Sequence, residues 1–62
     1  MTLQQMIIER LEHQEDRILL YGEIDNFYVI APADAMVTVG ECITYEPYGL
    51  NFGWYVGKGM LQ

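Results

Sequence analysis

Glycines and a lysine near the end of the chain are the first residues whose spacing suggests chemistry, because glycine-rich loops that end in lysine can cradle phosphates. In the segment GWYVGKG, residues 53–59, three residues separate the first two glycines, whereas a phosphate-binding loop has four. Gly59 stands where that loop has Ser or Thr, and the segment belongs to a strand pattern instead of opening a helix. We therefore expect no nucleotide site here.

Metal ligation and nucleophilic catalysis also have only weak candidates. Glu9 and His13 lie four residues apart with Asp16 nearby, but two or three ligands on one exposed turn hold a metal poorly. Cys42 is the only cysteine and no base is predicted within its reach, so we interpret it as a small apolar filler. The acids are spread along 62 residues that leave little room for a cleft. We expect no enzyme, no cofactor and no metal.

Aromatic residues concentrate in the last third of the chain and give the best candidate site. Tyr45, Tyr48, Phe52, Trp54 and Tyr55 fall within eleven residues, and strand alternation puts Phe52 and Trp54 on one face and Tyr55 on the other. One interpretation makes Phe52 and Trp54 core residues with the tyrosines at the edge. The other makes the cluster a binding surface, since Tyr and Trp are enriched at hot spots. We predict partner contacts at Tyr45, Tyr48, Trp54 and Tyr55.

Charge is the strongest compositional signal. Nine acidic residues face three basic ones, for a net charge of −6, and residues 18–57 contain no Lys, Arg or His. Nucleic acids and anionic membrane surfaces both require basic groups, so we exclude both as direct partners. The charge predicts a protein partner with a basic surface, contacted by Glu9, Glu12 and Asp16.

The first residues show a helical pattern. Thr2 and Gln5 fit a capping box. At about 100° per residue, one stripe carries Leu3, Met6, Ile7 and Leu11, and the opposite side carries Glu9, Glu12, His13 and Asp16. We predict an amphipathic helix over about residues 2–16. An extension to residue 20 stays open, because residues 18–21 also fit a strand.

The rest of the chain has strand patterns. We predict strands over about residues 27–31, 36–45 and 50–56, with a bend or bulge at Gly40. Glu46-Pro47-Tyr48-Gly49 fits a type I turn that joins the last two strands. The predicted fold is α+β: a single domain, residues 1–62, with the N-terminal helix packed on a three- to four-stranded antiparallel meander.

These features predict a small acidic protein-binding module, an inhibitor or adaptor of the kind that phages and mobile elements carry. We expect it in the cytoplasm, or the host cytoplasm if the gene is viral, because a lone thiol suits a reducing compartment and no leader pattern is present. Two alternatives stay open. A hydrophobic content of 52% suits a structural homo-oligomer, most simply a dimer. Helical acids about 4.5–6 Å apart along the axis suit a nucleic-acid mimic.

Overall fold

The protein is built from strands. The computed structural model describes residues 2–59, and within them it contains six strands and no helix, arranged as one sheet curled into a half-barrel. The predicted α+β fold is therefore wrong, and the fold is all-β. The strands are β1 (Gln4–Ile7), β2 (Arg10–His13), β3 (Arg17–Tyr21), β4 (Tyr28–Pro32), β5 (Cys42–Tyr48) and β6 (Phe52–Lys58).

The strand order explains why the sheet curls. The order is β1-β5-β6-β4-β3-β2, and all neighbours are antiparallel except β4 and β6, which are parallel. The first two strands lie at opposite edges although only two residues separate them. At this bend the Ile8 N–H donates to the Glu41 carbonyl at 2.9 Å, and the Glu9 N–H donates to the Tyr21 carbonyl at 2.7 Å. One bent segment therefore supplies both edge strands and brings the two edges of the sheet close together.

The same bend explains why the segment resembles a helix in sequence. Met6 and Ile8 point into the core before the bend, and Leu11 packs against the core after it. The pleat thus shifts by one residue, and the step of three from Ile8 to Leu11 copies a helical repeat. Ile7, counted on the helical stripe, lies on the other side of the strand and is 53% exposed. Pairing with β5 and β3 satisfies the backbone in place of helical hydrogen bonds.

The later elements lie close to their predicted positions, with shifted bounds. Strand β4 is displaced by one residue from 27–31, and β6 by two residues from 50–56. The strand predicted for 36–45 begins only at Cys42, because residues 33–41 form a loop in which Gly40 has φ 97°. The turn is at residues 49–51 instead of 46–49, since β5 continues through Pro47 to Tyr48. Gly49 takes φ 78°, which glycine adopts at little cost.

The core fills the inner face of the half-barrel. The largest fully buried side chains there are Tyr45, Ile8, Ile18, Leu20, Ile43 and Val29. Gly53 faces the ring of Tyr45, and a Cβ at this position would lie 2.8 Å from the Tyr45 ring and 2.8 Å from the Glu46 carbonyl oxygen. A glycine is therefore needed where β6 passes the largest buried side chain.

The β4–β5 loop closes one side of the core. Val37 is buried against it, and Ala35 packs beside it. The Glu41 carboxylate accepts a hydrogen bond of 2.7 Å from the Thr38 N–H and pairs with the Lys58 ammonium at 3.3 Å. The Thr38 hydrogen bond, aided by Lys58, lowers the pKa of Glu41. These contacts tie the loop to the end of β6.

Candidate functional site

Five aromatic side chains form a row across the outer face of the sheet, on the side away from the core. Strand pairing places them together: Tyr28 and Tyr48 both lie opposite Phe52, and the β3–β4 register brings Tyr21 beside Tyr28. Trp54 follows on β6, two residues after Phe52 and on the same face. We call this set the aromatic row: Tyr21, Tyr28, Phe52, Tyr48 and Trp54.

The rings of the aromatic row are in continuous contact. Ring centroids are 6.1 Å apart for Tyr21–Tyr28 and for Tyr28–Phe52, the second pair being stacked. Phe52 lies 5.4 Å from Tyr48 and meets Trp54 edge-on at 5.7 Å. These separations fall within the range of favourable aromatic pairs. Each ring therefore limits the rotamers open to its neighbour.

The aromatic row is open to solvent at its β5–β6 end. Tyr48 is 63% exposed and Trp54 is 46% exposed. Ile30 lies opposite Trp54 on the same face and widens the apolar surface towards β4. A contiguous exposed apolar surface of this kind makes the aromatic row a candidate interaction site.

The other end of the row carries a charge and a hollow. The Arg10 guanidinium lies 3.9 Å from the centroid of the Tyr21 ring, a cation–π contact. Beside it is an open hollow of about 760 Å³ whose walls include Tyr21, Tyr28, Glu9, Asp25, Asn26 and Asn51. The row thus runs from an exposed apolar end at Trp54 to a polar concave end at Tyr21.

The structure divides the four predicted aromatic contacts into two pairs. Tyr48 and Trp54 belong to the aromatic row. Tyr45 is 1% exposed and its ring meets that of Phe27 at a tilt inside the core, and Tyr55 packs against the core from the same inner face. We therefore keep Tyr48 and Trp54 in the candidate site and leave out Tyr45 and Tyr55. The alternative that placed Phe52 and Trp54 in the core does not describe this sheet, since both lie on its outer face.

Burial also changes the acid–base behaviour of Tyr45. It raises the pKa of the Tyr45 phenol above its ordinary value, because the phenolate would lose water. The hydroxyl lies 3.5 Å from the Gln4 Oε1 atom, which is too long for a strong hydrogen bond. Burial, with little polar compensation, thus dominates at this site.

Three predicted acidic contacts lie at different places because the helix that would align them is absent. Glu9 is at the bend between β1 and β2, on the wall of the hollow. Glu12 is on β2, where its carboxylate lies 3.9 Å from the Arg10 guanidinium and accepts a hydrogen bond from Gln14 at 2.9 Å. Asp16 is exposed in the β2–β3 turn. Of the three, only Glu9 lines the hollow.

Sequence reasoning missed Tyr21 and Tyr28 as site residues. They stand on two strands that neighbour each other in the sheet, and β4 pairs with β6 only through a parallel contact between segments distant in sequence. The one available signal was alternation. In β4, Tyr28 and Ile30 alternate with the buried Val29 and Ala31, which indicates that the first pair faces outward.

The weaker chemical candidates remain apart. Cys42, a half-buried free thiol on β5, is separated from His13 on β2 by three intervening strands. Lys58, which had suggested a phosphate loop, is on β6 and pairs with Glu41. Within residues 2–59, no group of three His, Cys, Asp or Glu side chains is placed to hold a metal. The same residues include no helix long and apolar enough to span a membrane.

Comparison with protein families, with curated proteins and with solved structures found no match to this chain. The candidate site is therefore inferred from the geometry of this chain alone.

Proposed function

We propose that this protein is a small acidic protein-binding module, an inhibitor or adaptor without enzymatic activity, that docks on its partner through the aromatic row. The observation that carries the proposal is the continuous contact of five aromatic side chains on an outer face, with Tyr48 and Trp54 about half exposed or more. We place its action in the cytoplasm, or the host cytoplasm if the gene is viral, since its single thiol is unpaired.

Two properties of the aromatic row favour binding: the large contact area of its rings and the order of those rings before binding. Tyr and Trp offer large contact areas at a low cost in conformational entropy, and the ring contacts within the row lower that cost further. The aromatic row therefore supports an interface whose central contacts are already ordered before binding.

The charge supports a basic partner surface. Glu46 lies opposite Trp54 on the outer face, and Glu12 lies near the Arg10 end. Arg10 pairs with Glu12 at 3.9 Å, and residues 18–57, which include Glu46, contain no basic side chain. A net charge of −6 accelerates encounter with a positive surface, and added salt weakens this attraction.

A homodimer is the second candidate, because the sheet leaves two edges open. Within residues 2–59, β1 pairs only with β5 and β2 pairs only with β3, and an unpaired edge favours association with another strand. Nucleic-acid mimicry loses its argument, because it depended on the helical spacing of Glu9, Glu12 and Asp16.

Capture from host lysate with three variants tests the proposal. Tyr48→Ala and Trp54→Ala shorten the aromatic row, whereas Leu50→Ala removes a side chain that is 94% exposed in the β5–β6 turn outside the row. We expect one stoichiometric protein with the wild type and with Leu50→Ala, and a loss of about tenfold or more in affinity with each row variant. Circular dichroism checks that all variants keep the fold.

Two results would contradict the proposal. Equal capture by the wild type and both row variants would remove the aromatic row as the docking surface. Capture of nothing but further copies of the chain, with a dimer in sedimentation, would replace the adaptor with the homodimer.

A further inference from the structure

The hollow beside Tyr21 has walls from three separate segments. The bend contributes Glu9 and Arg10, the β3–β4 connection contributes Asp25 and Asn26, and the β5–β6 turn contributes Asn51. The Tyr28 N–H donates to the Asn51 carbonyl at 3.2 Å, which joins the second wall to the third. Asn26 takes φ 59°, a left-handed conformation that Asn tolerates and that turns the chain back towards β4. The hollow is therefore a feature of the fold and not of one loop.

The chemistry of the hollow suits a planar cation. Two carboxylate residues, Glu9 and Asp25, and two aromatic residues, Tyr21 and Tyr28, line it, while Arg10 is the one cation among its lining residues. Carboxylates and ring faces both attract positive charge. An anionic ligand would meet two like charges there.

The contact of Arg10 with Tyr21 shows that a guanidinium packs against an aromatic ring at this end of the row. Its guanidinium already lies 3.9 Å from the Tyr21 centroid, yet its side chain is 62% exposed and its pair with Glu12 spans 3.9 Å. Arg10 therefore forms part of the wall of the hollow and does not fill it. The volume of about 760 Å³ remains with Arg10 in place, within the range of ligand sites.

We propose that this hollow receives an arginine side chain of the protein partner, with its guanidinium over Tyr28 and with Glu9 and Asp25 as counter-ions. The inference deepens the proposed function and depends on it. Arginine fits better than lysine, because a planar guanidinium stacks on a ring and still directs N–H groups at carboxylates, whereas an ammonium is more strongly hydrated. The partner would place this arginine at the edge of an interface centred on Trp54 and Tyr48.

A peptide series tests the ligand chemistry directly. The probes are three capped pentapeptides, Gly-X-Gly-X-Gly, in which X is arginine, lysine or citrulline, the uncharged near-isostere of arginine. They are titrated into the ¹⁵N-labelled full chain to millimolar concentration. We expect the arginine peptide to shift the amide signals of Tyr21, Gly22, Tyr28 and Asn51, the lysine peptide to bind more weakly, and the citrulline peptide to leave them unchanged.

Variants identify the site. Asp25→Asn and Tyr28→Leu should each weaken the arginine peptide several-fold. Asp34→Asn, which removes the same charge from an exposed position that does not line the hollow, should leave affinity unchanged. Three outcomes would overturn the inference: shifts of equal size with citrulline, no shifts at these amides with arginine, or equal weakening by Asp34→Asn and Asp25→Asn.

The captured partner separates this inference from the proposed function. If Trp54→Ala releases the partner while Asp25→Asn retains it at full affinity, the arginine site is wrong and the docking surface stands. If both variants release it and Asp34→Asn does not, both proposals are supported. If neither releases it, both fail.

Discussion

Tyr45 and Tyr48 are the same residue type on the same strand, three positions apart, and they have opposite environments. Tyr45 is 1% exposed and its ring lies 5.4 Å from that of Phe27. Tyr48 is 63% exposed and its ring lies 5.4 Å from that of Phe52. The two tyrosines therefore have equally close ring neighbours, one on the inner face and one on the outer face. The difference is a covering layer: the curl of the sheet and the β4–β5 loop enclose the inner face, whereas Tyr48 and Trp54 on the outer face remain open to solvent.

This asymmetry indicates where free energy is available for binding. Burial of the inner face stabilises the fold, because domains are stabilised by apolar surfaces packed between layers. The outer face retains apolar area that a partner could still remove from water. We therefore expect substitutions on the inner face to lower stability and substitutions on the outer face to lower the proposed partner binding.

The largest expected effect is from truncation of the buried tyrosine. Tyr45→Ala leaves a cavity at the centre of the core and should lower the free energy of unfolding by about 3–5 kcal/mol. For a 62-residue domain that is a large share of its stability. Tyr48→Ala loses only a cross-strand pair and should cost less than about 1 kcal/mol. Urea unfolding followed by tryptophan fluorescence measures both, and similar losses would contradict the division between faces.

The next effect concerns the glycine beneath Tyr45. Gly53→Ala puts a methyl group 2.8 Å from the Tyr45 ring and from the Glu46 carbonyl oxygen, so it should cost about 1–3 kcal/mol through overpacking. Gly57 is on the same strand and a Cβ there meets no atom within 4 Å. Gly57→Ala, the matched control, should change stability by no more than about 0.5 kcal/mol. A tolerated Gly53→Ala in the same urea assay would mean that Tyr45 is packed loosely.

The smallest effect is a dependence of stability on alkaline pH. Burial raises the pKa of Tyr45 above its ordinary value of 10, so above pH 10 the unfolded chain releases a proton that the folded protein retains. Tyr45 thus contributes stability below pH 10 that is lost as the pH rises through the folded pKa. Tyr45→Phe, which keeps the ring, should remove this component.

Urea unfolding of the wild type and of Tyr45→Phe below and above pH 10 measures it. Parallel declines in the two proteins would show that the phenol is not desolvated.

Some of this architecture was predictable because it depends on local pattern. The alternation from Phe52 to Tyr55 placed Phe52 and Trp54 on one face and Tyr55 on the other, as the sheet does. Turn residues near Gly49 marked the connection between β5 and β6, although the turn begins at the glycine instead of ending there. Composition also predicted an acidic surface without reference to any fold.

Other features could not be predicted, because they depend on pairing between distant segments. Residues 4–13 carry both a helical and a strand pattern, and hydrogen bonds to β5 and β3 decide between them. The aromatic row requires the parallel contact of β4 with β6, which brings Tyr28 to Phe52 across a separation of 24 positions. Local periodicity contains no information about which strands meet.

By itself the sequence determined the charge, the single cysteine and the alternation of residues along later strands such as β6, because these follow from composition and from the two-residue pleat. Tertiary structure decided which side faces the core. It made Tyr45 a core residue and Tyr48 a surface residue, replaced a helix with a bent strand, and gathered Tyr21, Tyr28 and Asp25 at one hollow. The physical reason is that burial depends on which apolar face the sheet curls around, and that choice is made by the whole chain at once.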